Sequence, residues 1–558
     1  MTLAPKPRTG GQILIDQLKL HGADTVFGVP GESYLAALDA LYDARNLIRF
    51  ISCRQEGGAA YMAEAYGKLT GRPGICFVTR GPGACNASIG IHTGFQDSTP
   101  MILLIGQVGR GMVEREAFQE IDYRRMYGPM AKWVAEIERA DRIPELLSRA
   151  FHTAMAGRRG PVVLALPEDM LRESATVADP DPYRVVQGYP GAAQMTELRQ
   201  RLARARRPFL LLGGGGWSHS ASRDLLSFAE ANDLPVGCAF RRQDAFDNIH
   251  RCYAGDVGVG LNPKLAERIK NADLLITVGP RLGEMTTSEY SLAEIPRPKQ
   301  ALVHVYPGAE ELGRVYQADL PIVAGIAEFA AAARALEPVD SSAWSKECQQ
   351  AHADYLDWLG GGSSPGLVDM VEIMKFLRER LPADAILTNG AGNYTVWAHR
   401  YYRFRNYGTQ LGPTSGAMGY GAPAGVAAKL LHPDRIVVSF NGDGCFLMNG
   451  QELATALQYG VATVFIVVNN GMYGTIRMHQ EREYPRRVIA TDLINPDFMS
   501  LAQAYGAHGE RVERTEEFAP AFERALSAGK AALIEIRLDP EAITPRQSLS
   551  GIRAAARR

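Results

Sequence analysis

The sequence predicts an α/β protein of three domains, each a mainly parallel sheet flanked by helices. Three observations carry this. Short apolar runs rich in Val, Ile and Leu recur along the 558 residues and alternate with stretches of helical spacing. Such runs, apolar on both sides, suit strands covered on both faces, the situation of a parallel sheet. Two loop-like segments, VADPDPYRVVQGYPGAA and the Gly- and Pro-containing stretch from Glu337 to Pro365, divide the chain into three blocks.

The first block, assigned to residues 1–175, opens on the helical stretch GGQILIDQLKLHG. Its strands are TVFGV, GICFVT, MILLIG and PVVLALP, and IRFISC reads as a strand leading into the helix AAYMAEAYGKLTG. The second block, residues 190–340, repeats the grammar in RPFLLLGGGG, DLPVGC, DLLITVG, ALVHVY and LPIVAG. The third, residues 365–545, holds AILTNG, RIVVSFNGDG, ATVFIVVNN and ALIEIRL. The first and third blocks share size and rhythm without a residue-level repeat.

Composition narrows the function classes. Hydrophobic residues make up 46% and charged residues 22%, the balance of a soluble globular protein. A formal net charge of −1 gives no electrostatic reason to expect a nucleic-acid or anionic-membrane partner. The seven cysteines are scattered, odd in number and free of CxxC pairs, which argues against a disulfide framework or a zinc site and fits a reducing cytoplasm. The N-terminal MTLAPKPRTG lacks the apolar core of a signal peptide, and no apolar run nears the roughly 20 residues that span a bilayer. The expectation is a cytoplasmic protein. The C-terminal GIRAAARR reads as a short solvated tail, and the polar ITPRQSLS before it as a mobile segment.

The chemistry sits in Gly442-Asp443-Gly444 and in Asn469-Asn470, joined by CFLMNGQELATALQYGVATVFIVV, which reads as a loop, a helix and a buried strand. Mg²⁺ prefers hard oxygen ligands in an octahedron. Asp443 offers a carboxylate oxygen, Asn470 an amide oxygen, and the backbone carbonyl of Met472 a third. Gly442 and Gly444 let the backbone approach phosphates closely. A lone GDG is an ordinary turn; paired with NN at this distance it resembles the signature of enzymes that bind thiamine diphosphate (ThDP) through a divalent metal.

ThDP also needs a carboxylic acid against its aminopyrimidine ring, a bulky apolar support under its bend, and a dry site. Glu56, at a strand-to-helix junction in Arg54-Gln55-Glu56-Gly57-Gly58, suits the first, since such junctions form the functional edge of an open sheet. Its plainer reading is a helix-start charge. Met418, flanked by Gly416 and Gly419, suits the second, against a plain reading as a gap-filling core residue. Gly392, Asn393 and Tyr394 follow a strand in a Gly-rich turn that can supply diphosphate donors.

From about residue 10 to about residue 540 the chain resembles the acetolactate synthase-like branch of ThDP-dependent enzymes. The strings VFGVPGE, RQEGGAAYMAEAYGKLTG, TRGPGACNASIGIHTGFQDSTPMILLIGQV, AFQEID, SGAMGYG and GDGCFLMNGQELATALQYG carry the resemblance. It implies pyrimidine-binding, central and diphosphate-binding domains, and a homodimer or homotetramer whose active site lies between chains, with Glu56 from one and Asp443 from the other. It further implies that Gln107, Phe118, Gln119 and Lys132 stand near the reactive carbon, with Gln119 and Lys132 in the catalytic set. Arg281 matches an arginine that approaches the second substrate, where a cation suits a 2-oxo acid. The plain readings are packing for Gln107 and Phe118, and surface pairing for Lys132 and Arg281.

Three departures matter. Glu32, in Val29-Pro30-Gly31-Glu32-Ser33, stands where acetolactate synthases have a small residue and some pyruvate decarboxylase-like enzymes have a proton-transferring carboxylate. It is therefore a candidate general acid or base, against a plain reading as a helix-start glutamate. The decarboxylases' His-His pair is missing after Gln107. His479 replaces the tryptophan that shapes the substrate pocket, so acceptor preference does not carry over. The segments that hold a non-catalytic FAD in acetolactate synthases are altered to Ala254-Gly255-Asp256-Val257-Gly258-Val259-Gly260 and Arg281-Leu282-Gly283-Glu284. Gly213-Gly214-Gly215-Gly216 stays compatible with a nucleotide phosphate, which leaves FAD open.

The expected function is a ThDP- and Mg²⁺-dependent carboligase: a 2-oxo acid is decarboxylated and condensed with a second carbonyl compound. The alternatives are a simple 2-oxo acid decarboxylase, which Glu32 favours, and a C–C lyase or hydrolase of the same superfamily. A non-catalytic binding protein would be expected to lose Glu56, Asp443 or Asn470, and all three are present. Whether a regulatory subunit binds stays open.

Overall fold

Three six-stranded sheets with purely parallel ladders form where the apolar runs predicted strands. The computed structural model describes residues 6–556; the first five residues of MTLAPKPRTG and the last two of the basic tail lie outside the described residues. The chain divides into two compact units. One holds the chain up to Val186 with Val426–Leu431 and Asn449–Gln458, and the other holds the rest.

The first unit's sheet contains β1 (Thr25–Gly28), β2 (Arg49–Ser52), β3 (Gly74–Val78), β4 (Met101–Gln107), β5 (Trp133–Glu136) and β6 (Pro161–Pro167), in the order β2-β1-β3-β4-β6-β5. β3, β4 and β6 are buried along their whole length, as continuous apolar runs require. The predicted first helix, Gly10–Leu20, starts on a Thr9–Gln12 capping box.

In the second unit the central sheet contains β7 (Pro208–Leu212), β8 (Val236–Ala239), β9 (Tyr253–Val257), β10 (Leu274–Val278), β11 (Ala301–Tyr306) and β12 (Leu320–Val323), in the order β9-β8-β7-β10-β11-β12. The C-terminal sheet contains β13 (Ile386–Asn389), β14 (Gln410–Leu411), β15 (Val437–Gly442), β16 (Val464–Asn469), β17 (His508–Val512) and β18 (Ala532–Arg537), in the order β14-β13-β15-β16-β18-β17. The first and C-terminal sheets therefore share one strand order, while the central sheet has the order of a doubly wound dinucleotide fold. β5, β9, β14 and β17 carry no sequence prediction as strands. They are short edge strands, and β17 is only half-buried, so neither length nor apolar continuity announces them.

The helices that matter below are α1 (Glu56–Thr70), α2 (Gly81–Asp97), α3 (Ile143–Met155), α4 (Tyr394–Tyr401), α5 (Asp443–Asn449), α6 (Glu452–Gln458), α7 (Gly474–Glu483) and α8 (Leu549–Ala555). The GDG-to-NN run thus corrects to two helices and a strand: Gly442 ends β15 and Asp443 starts α5 without an intervening loop. α1 and α2 enclose a charged triad, with Lys68 between Glu64 and Asp97 and all three side chains almost wholly buried. Opposite charges make that burial tolerable.

The C-terminal segment also corrects the expectation of a mobile, solvated tail. Ser548 caps α8, Leu549 and Ile552 pack with Met478 and Ile543, and Arg553 pairs with the buried Glu481 of α7 at 2.6 Å. Among the described residues no helix is long and apolar enough to cross a membrane. All seven cysteines are free, and only Cys85 is exposed.

His304, buried in β11, donates from Nε2 to the carbonyl of Pro280 at 3.0 Å, and burial pushes its pKa down to about 4. A folded-state value below the unfolded one of about 6.5 means the stability from the neutral ring is present above that pH and is lost as pH falls toward 4. The full loss is about 3 kcal/mol. Thermal unfolding should therefore steepen in pH dependence between 6.5 and 4.5, and His304→Gln, which keeps a donor and removes the titration, should flatten that slope.

Candidate active site

The carboxyl ends of β13, β15 and β16 open onto a cavity of about 240 Å³ in the second unit. Its lining contains ten of the predicted cofactor residues: Gly392, Asn393, Tyr394, Gly416, Met418, Gly442, Asp443, Gly444, Asn470 and Met472. The rest of the wall is largely apolar, with Trp397, Val468, Ile476, Leu538, Ala542 and Ile543, so the last residues before α8 help to dry it.

Asp443 is 3% exposed. Its Oδ1 accepts from Gly444 N at 2.9 Å; its Oδ2 accepts from Gly471 N at 2.9 Å and from Asn495 Nδ2 at 2.8 Å. No basic side chain among the described residues pairs with it, and burial outweighs these bonds to raise its pKa above the ordinary carboxylate value. A buried carboxylate with neutral donors and no cation is a site that a divalent metal completes. The Asn470 amide oxygen and Met472 are on the same wall, and Met472 N donates to Asn470 Oδ1 at 3.3 Å. The residues present fit Mg²⁺ and a diphosphate.

The glycines of GDG have a packing reason as well. A Cβ on Gly442 would meet the Tyr394 ring at 2.9 Å, and one on Gly444 would meet the Tyr473 ring at 2.6 Å. Gly416 and Gly419, on either side of Met418, hold left-handed backbone at φ 68° and 80°. Asn393 is less free than expected: its N–H donates to Thr475 Oγ1 at 3.0 Å and its Oδ1 accepts from that hydroxyl at 2.9 Å. The Tyr394 hydroxyl is turned inward, accepting from Gly390 N and donating to Cys445 Sγ. The two asparagines of NN divide their work. Asn470 faces the cavity, whereas Asn469 donates to the buried Glu535 at 2.7 Å and accepts from Asn495 at 2.9 Å. His479 lies one turn beyond the cavity residue Ile476 on α7 and is exposed.

In the first unit, Glu56 opens α1, and Asn86 donates to its Oε2 at 2.8 Å. A Cβ on Gly83 would lie 3.4 Å from Oε1, so the first turn of α2 runs close along this carboxylate. Glu32 follows β1, is 67% exposed at its side chain, and accepts from Arg80 at 3.0 Å. The 113–121 loop is strained: Glu114, Glu116 and Gln119 all have positive φ. Glu120 ties it by accepting from the N–H groups of Glu114 and Ala117, and Gln119 O accepts from Gly81 N. Phe118 stands 70% exposed on this loop. Gln107 is buried, with its amide committed to Ile121 O and Val108 N, so it anchors the loop's end.

Lys132 departs from expectation. Its ammonium donates to Thr153 O and Ala156 O, both at 2.6 Å, and so caps the C-terminal carbonyls of α3. Arg281 is half-buried just past the carboxyl end of β10.

For FAD the fit is poor. A Cβ on Gly213 would fall 2.4 Å from Ala239 Cβ, and one on Gly214 would fall 1.8 Å from Gly279 O, while Gly213 O accepts from Trp217 Nε1. The protein's own backbone fills this turn. Ala254–Val257 belong to edge strand β9, which pairs with β8. We assign no FAD.

Sequence reasoning missed Glu452, Asn495 and Arg80. Glu452, on α6, is wholly buried and accepts from Arg54 N and Gln55 N at 3.0 Å and from Thr455 Oγ1 at 2.6 Å. It thereby fixes the strand-to-helix junction that carries Glu56. Its backbone partners at that junction are nearly 400 positions away in sequence, and no local pattern marks them.

Comparison with known proteins gives the family. The chain matches "Thiamine pyrophosphate enzyme, N-terminal TPP binding domain" over residues 8–126, the corresponding central domain over 195–333, and "C-terminal TPP binding domain" over 390–536. It is 33% identical over 540 residues to the acetolactate synthase large subunit of Corynebacterium glutamicum, covering 94% of this chain and 85% of that protein. It is 30% identical to the acetolactate synthase isozyme 2 large subunit of Escherichia coli, covering 95% of each. With the probable acetolactate synthase large subunit of Methanocaldococcus jannaschii it is 30% identical, over 96% and 93%.

Replacing Glu452 by Ala should strip two backbone N–H groups of their acceptor and leave a void, at a cost of about 2–4 kcal/mol. Thermal unfolding should report the loss, and hydrogen exchange should quicken at Arg54 and Gln55. Unchanged exchange at those two amides would remove Glu452 as the anchor of the Glu56 junction.

Proposed function

The chain belongs to the family of thiamine pyrophosphate-dependent enzymes that includes the acetolactate synthases, and from that premise we propose that it is a ThDP- and Mg²⁺-dependent carboligase acting on a 2-oxo acid. The observation that carries this reading is the cavity around Asp443, where a cation-deficient buried carboxylate, an amide oxygen and a row of backbone groups converge under an apolar wall. When bound, ThDP supplies the electron sink that lets a 2-oxo acid lose CO₂ and pass its remaining acyl equivalent to a second carbonyl compound.

The chain's residues supply the rest. Asp443, Asn470 and the carbonyl of Met472 would hold the metal. Met418 would support the cofactor, and the apolar wall would exclude water. Asn86 holds Glu56 Oε2, which would leave Oε1 to exchange a proton with the aminopyrimidine ring. Gln107, through its grip on Ile121, steadies the loop that presents Phe118 and Gln119 to substrate. Arg281 and His479 complete the substrate set. The three functional regions are residues 1–175, 190–340 and 365–545. The working form is a cytoplasmic homodimer or homotetramer in which Glu56 and Asp443 of different chains hold the two ends of one cofactor. Glu32 supports a second reading, proton capture to an aldehyde, because an exposed carboxylate beside the predicted substrate loop is suited to proton transfer.

A proton NMR time course with pyruvate, ThDP and Mg²⁺, with and without FAD, tests this. Acetolactate is the expected product, and FAD should make no difference. Acetaldehyde alone would establish the Glu32 reading instead, and untouched pyruvate would overturn the small-acid substrate. Glu56→Gln should lower turnover by about 10²–10⁴-fold while metal-dependent cofactor binding, followed by fluorescence quenching, persists. Undiminished turnover would exclude Glu56 from the mechanism.

A further inference from the structure

A narrow cleft in the second unit, beside edge strand β9, is lined by Gly255, Asp256, Tyr355, Trp358, His399 and Arg400. It shares no lining residue with the Asp443 cavity. Trp358, in the last turn of the helix Ser345–Leu359, gathers two cations. The Arg400 guanidinium lies 4.0 Å from its ring centre, and that of Arg546 lies 5.4 Å from it. Arg400 Nε donates to Trp358 O at 2.9 Å, which fixes the plane of the fork. Among the described residues no carboxylate pairs with either guanidinium, and the nearby Asp357 faces Lys264 at 3.9 Å. Two residues of the cleft also carry a buried polar atom with no partner among the described residues, Oδ1 of Asp256 and Nδ1 of His399.

We propose that the Trp358 cleft is an anion site, separate from the cofactor cavity, in which Arg400 and Arg546 hold a phosphate group. The site is independent of which reaction the Asp443 cavity supports. Two like charges gathered at one ring and partly out of water are unfavourable until a counter-charge arrives. Burial, with the charge of Arg546 adding to it, pulls the Arg400 pKa below the ordinary guanidinium value. Asp256 does not supply the counter-charge, because burial holds its carboxyl well above the ordinary range, so it resists ionising and can donate. Burial also lowers His399 to about 3, which keeps its ring neutral. With Nε2 turned to Asn389 Oδ1 at 3.4 Å, its Nδ1 is an acceptor. The cleft thus offers two guanidinium forks, a carboxyl donor and an imidazole acceptor. Two forks on different elements can each engage a pair of oxygens on a tetrahedral phosphate, whereas a carboxylate has only one pair to offer. A phosphate that still carries a proton can give it to the His399 lone pair.

The position of the two arginines gives the site a reach beyond its own contacts. Arg546 belongs to a short turn in which Thr544 Oγ1 accepts from the N–H groups of Arg546 at 3.3 Å and Gln547 at 3.0 Å. Ala542 and Ile543, just before that turn, line the Asp443 cavity. So does Trp397, one turn before Arg400 on α4. A phosphate between Arg400 and Arg546 therefore ties the turn to α4 and joins two stretches of the cavity wall through the anion.

The test titrates inorganic phosphate calorimetrically into the enzyme loaded with ThDP and Mg²⁺, at an ionic strength held constant with chloride. Saturable binding is expected, and Arg400→Gln and Arg546→Gln should each weaken it by about tenfold or more, the size of a charge-assisted pair. Arg546 is exposed, so its substitution keeps the test decisive even where Arg400→Gln disturbs the fold. Bound phosphate should slow amide exchange at Arg546 and Gln547 in the wild type and leave it unchanged in Arg400→Gln. A parallel titration with glycerol 3-phosphate separates the sources: tighter binding than inorganic phosphate supports a phosphorylated metabolite as the occupant, and weaker binding supports the free ion. Absence of saturable binding, affinity unaltered by both substitutions, exchange at Arg546 and Gln547 indifferent to phosphate, or phosphate that competes with ThDP would overturn the proposal.

Discussion

Asp443 is taken out of water at the carboxyl end of β15 and held by three N–H donors and, among the described residues, no basic side chain. A carboxylate in that position is costly unless something positive arrives. Much of the surrounding architecture answers to this constraint. Gly471, between Asn470 and Met472, turns its amide onto the carboxylate, and Asn495 reaches it from the 484–497 segment while also bonding Asn469. Asn469 continues the network to Glu535 in β18, which Arg511 and Arg537 neutralise. Charge balance is thus complete around Glu535 and incomplete at Asp443, and the incompleteness lies at the cavity.

The first and C-terminal sheets share one strand order, and charged residues follow equivalent strands in both. Asp443 follows β15, the third strand of its sheet; Arg80 follows β3, the third strand of its own. In an open parallel sheet the carboxyl ends are where loops are free to vary without disturbing the core. One sheet places an acid there and the other a base. Glu56, after β2, is held by a different device, the buried Glu452, whose oxygens take up the amides of Arg54 and Gln55. Two of the carboxylates nearest the proposed chemistry thus rely on contacts that only tertiary structure supplies.

Much of this was legible in the sequence because it is local. Apolar runs such as MILLIG and PVVLALP announce buried strands, and the GDG string and Asn470 of NN mark cavity residues because each sits at the carboxyl end of a strand that the local sequence announces. The unread parts are non-local or are exceptions to pattern. β5 and β17 are short or half-polar edge strands. Asn495 and Glu452 look like any surface polar residue until their partners are known. Lys132 looked like a pocket cation, yet its ammonium caps α3, since a flexible charged stem takes whichever acceptors fold beside it. The C-terminal tail read as solvated because its few apolar residues are widely spaced; Leu549 and Ile552 suffice, since Met478 and Ile543 meet them and Arg553 finds Glu481.

The 113–121 loop stores backbone strain. Three non-glycine residues with left-handed backbone in six positions are unfavourable and persist only if the surroundings impose them. Glu120 folds back onto the amides of Glu114 and Ala117, Gln107 pins Ile121, and Gly81 pins Gln119. The result is a stiff loop that holds Phe118 out toward solvent at the edge of the Arg80 fork. An aromatic held that way loses little freedom when a ligand arrives, so its contact energy goes into orientation. The Asp443 cavity is short of a cation, whereas the strained loop and the Arg80–Glu32 pair are fixed by hydrogen bonds and an ion pair within the first unit.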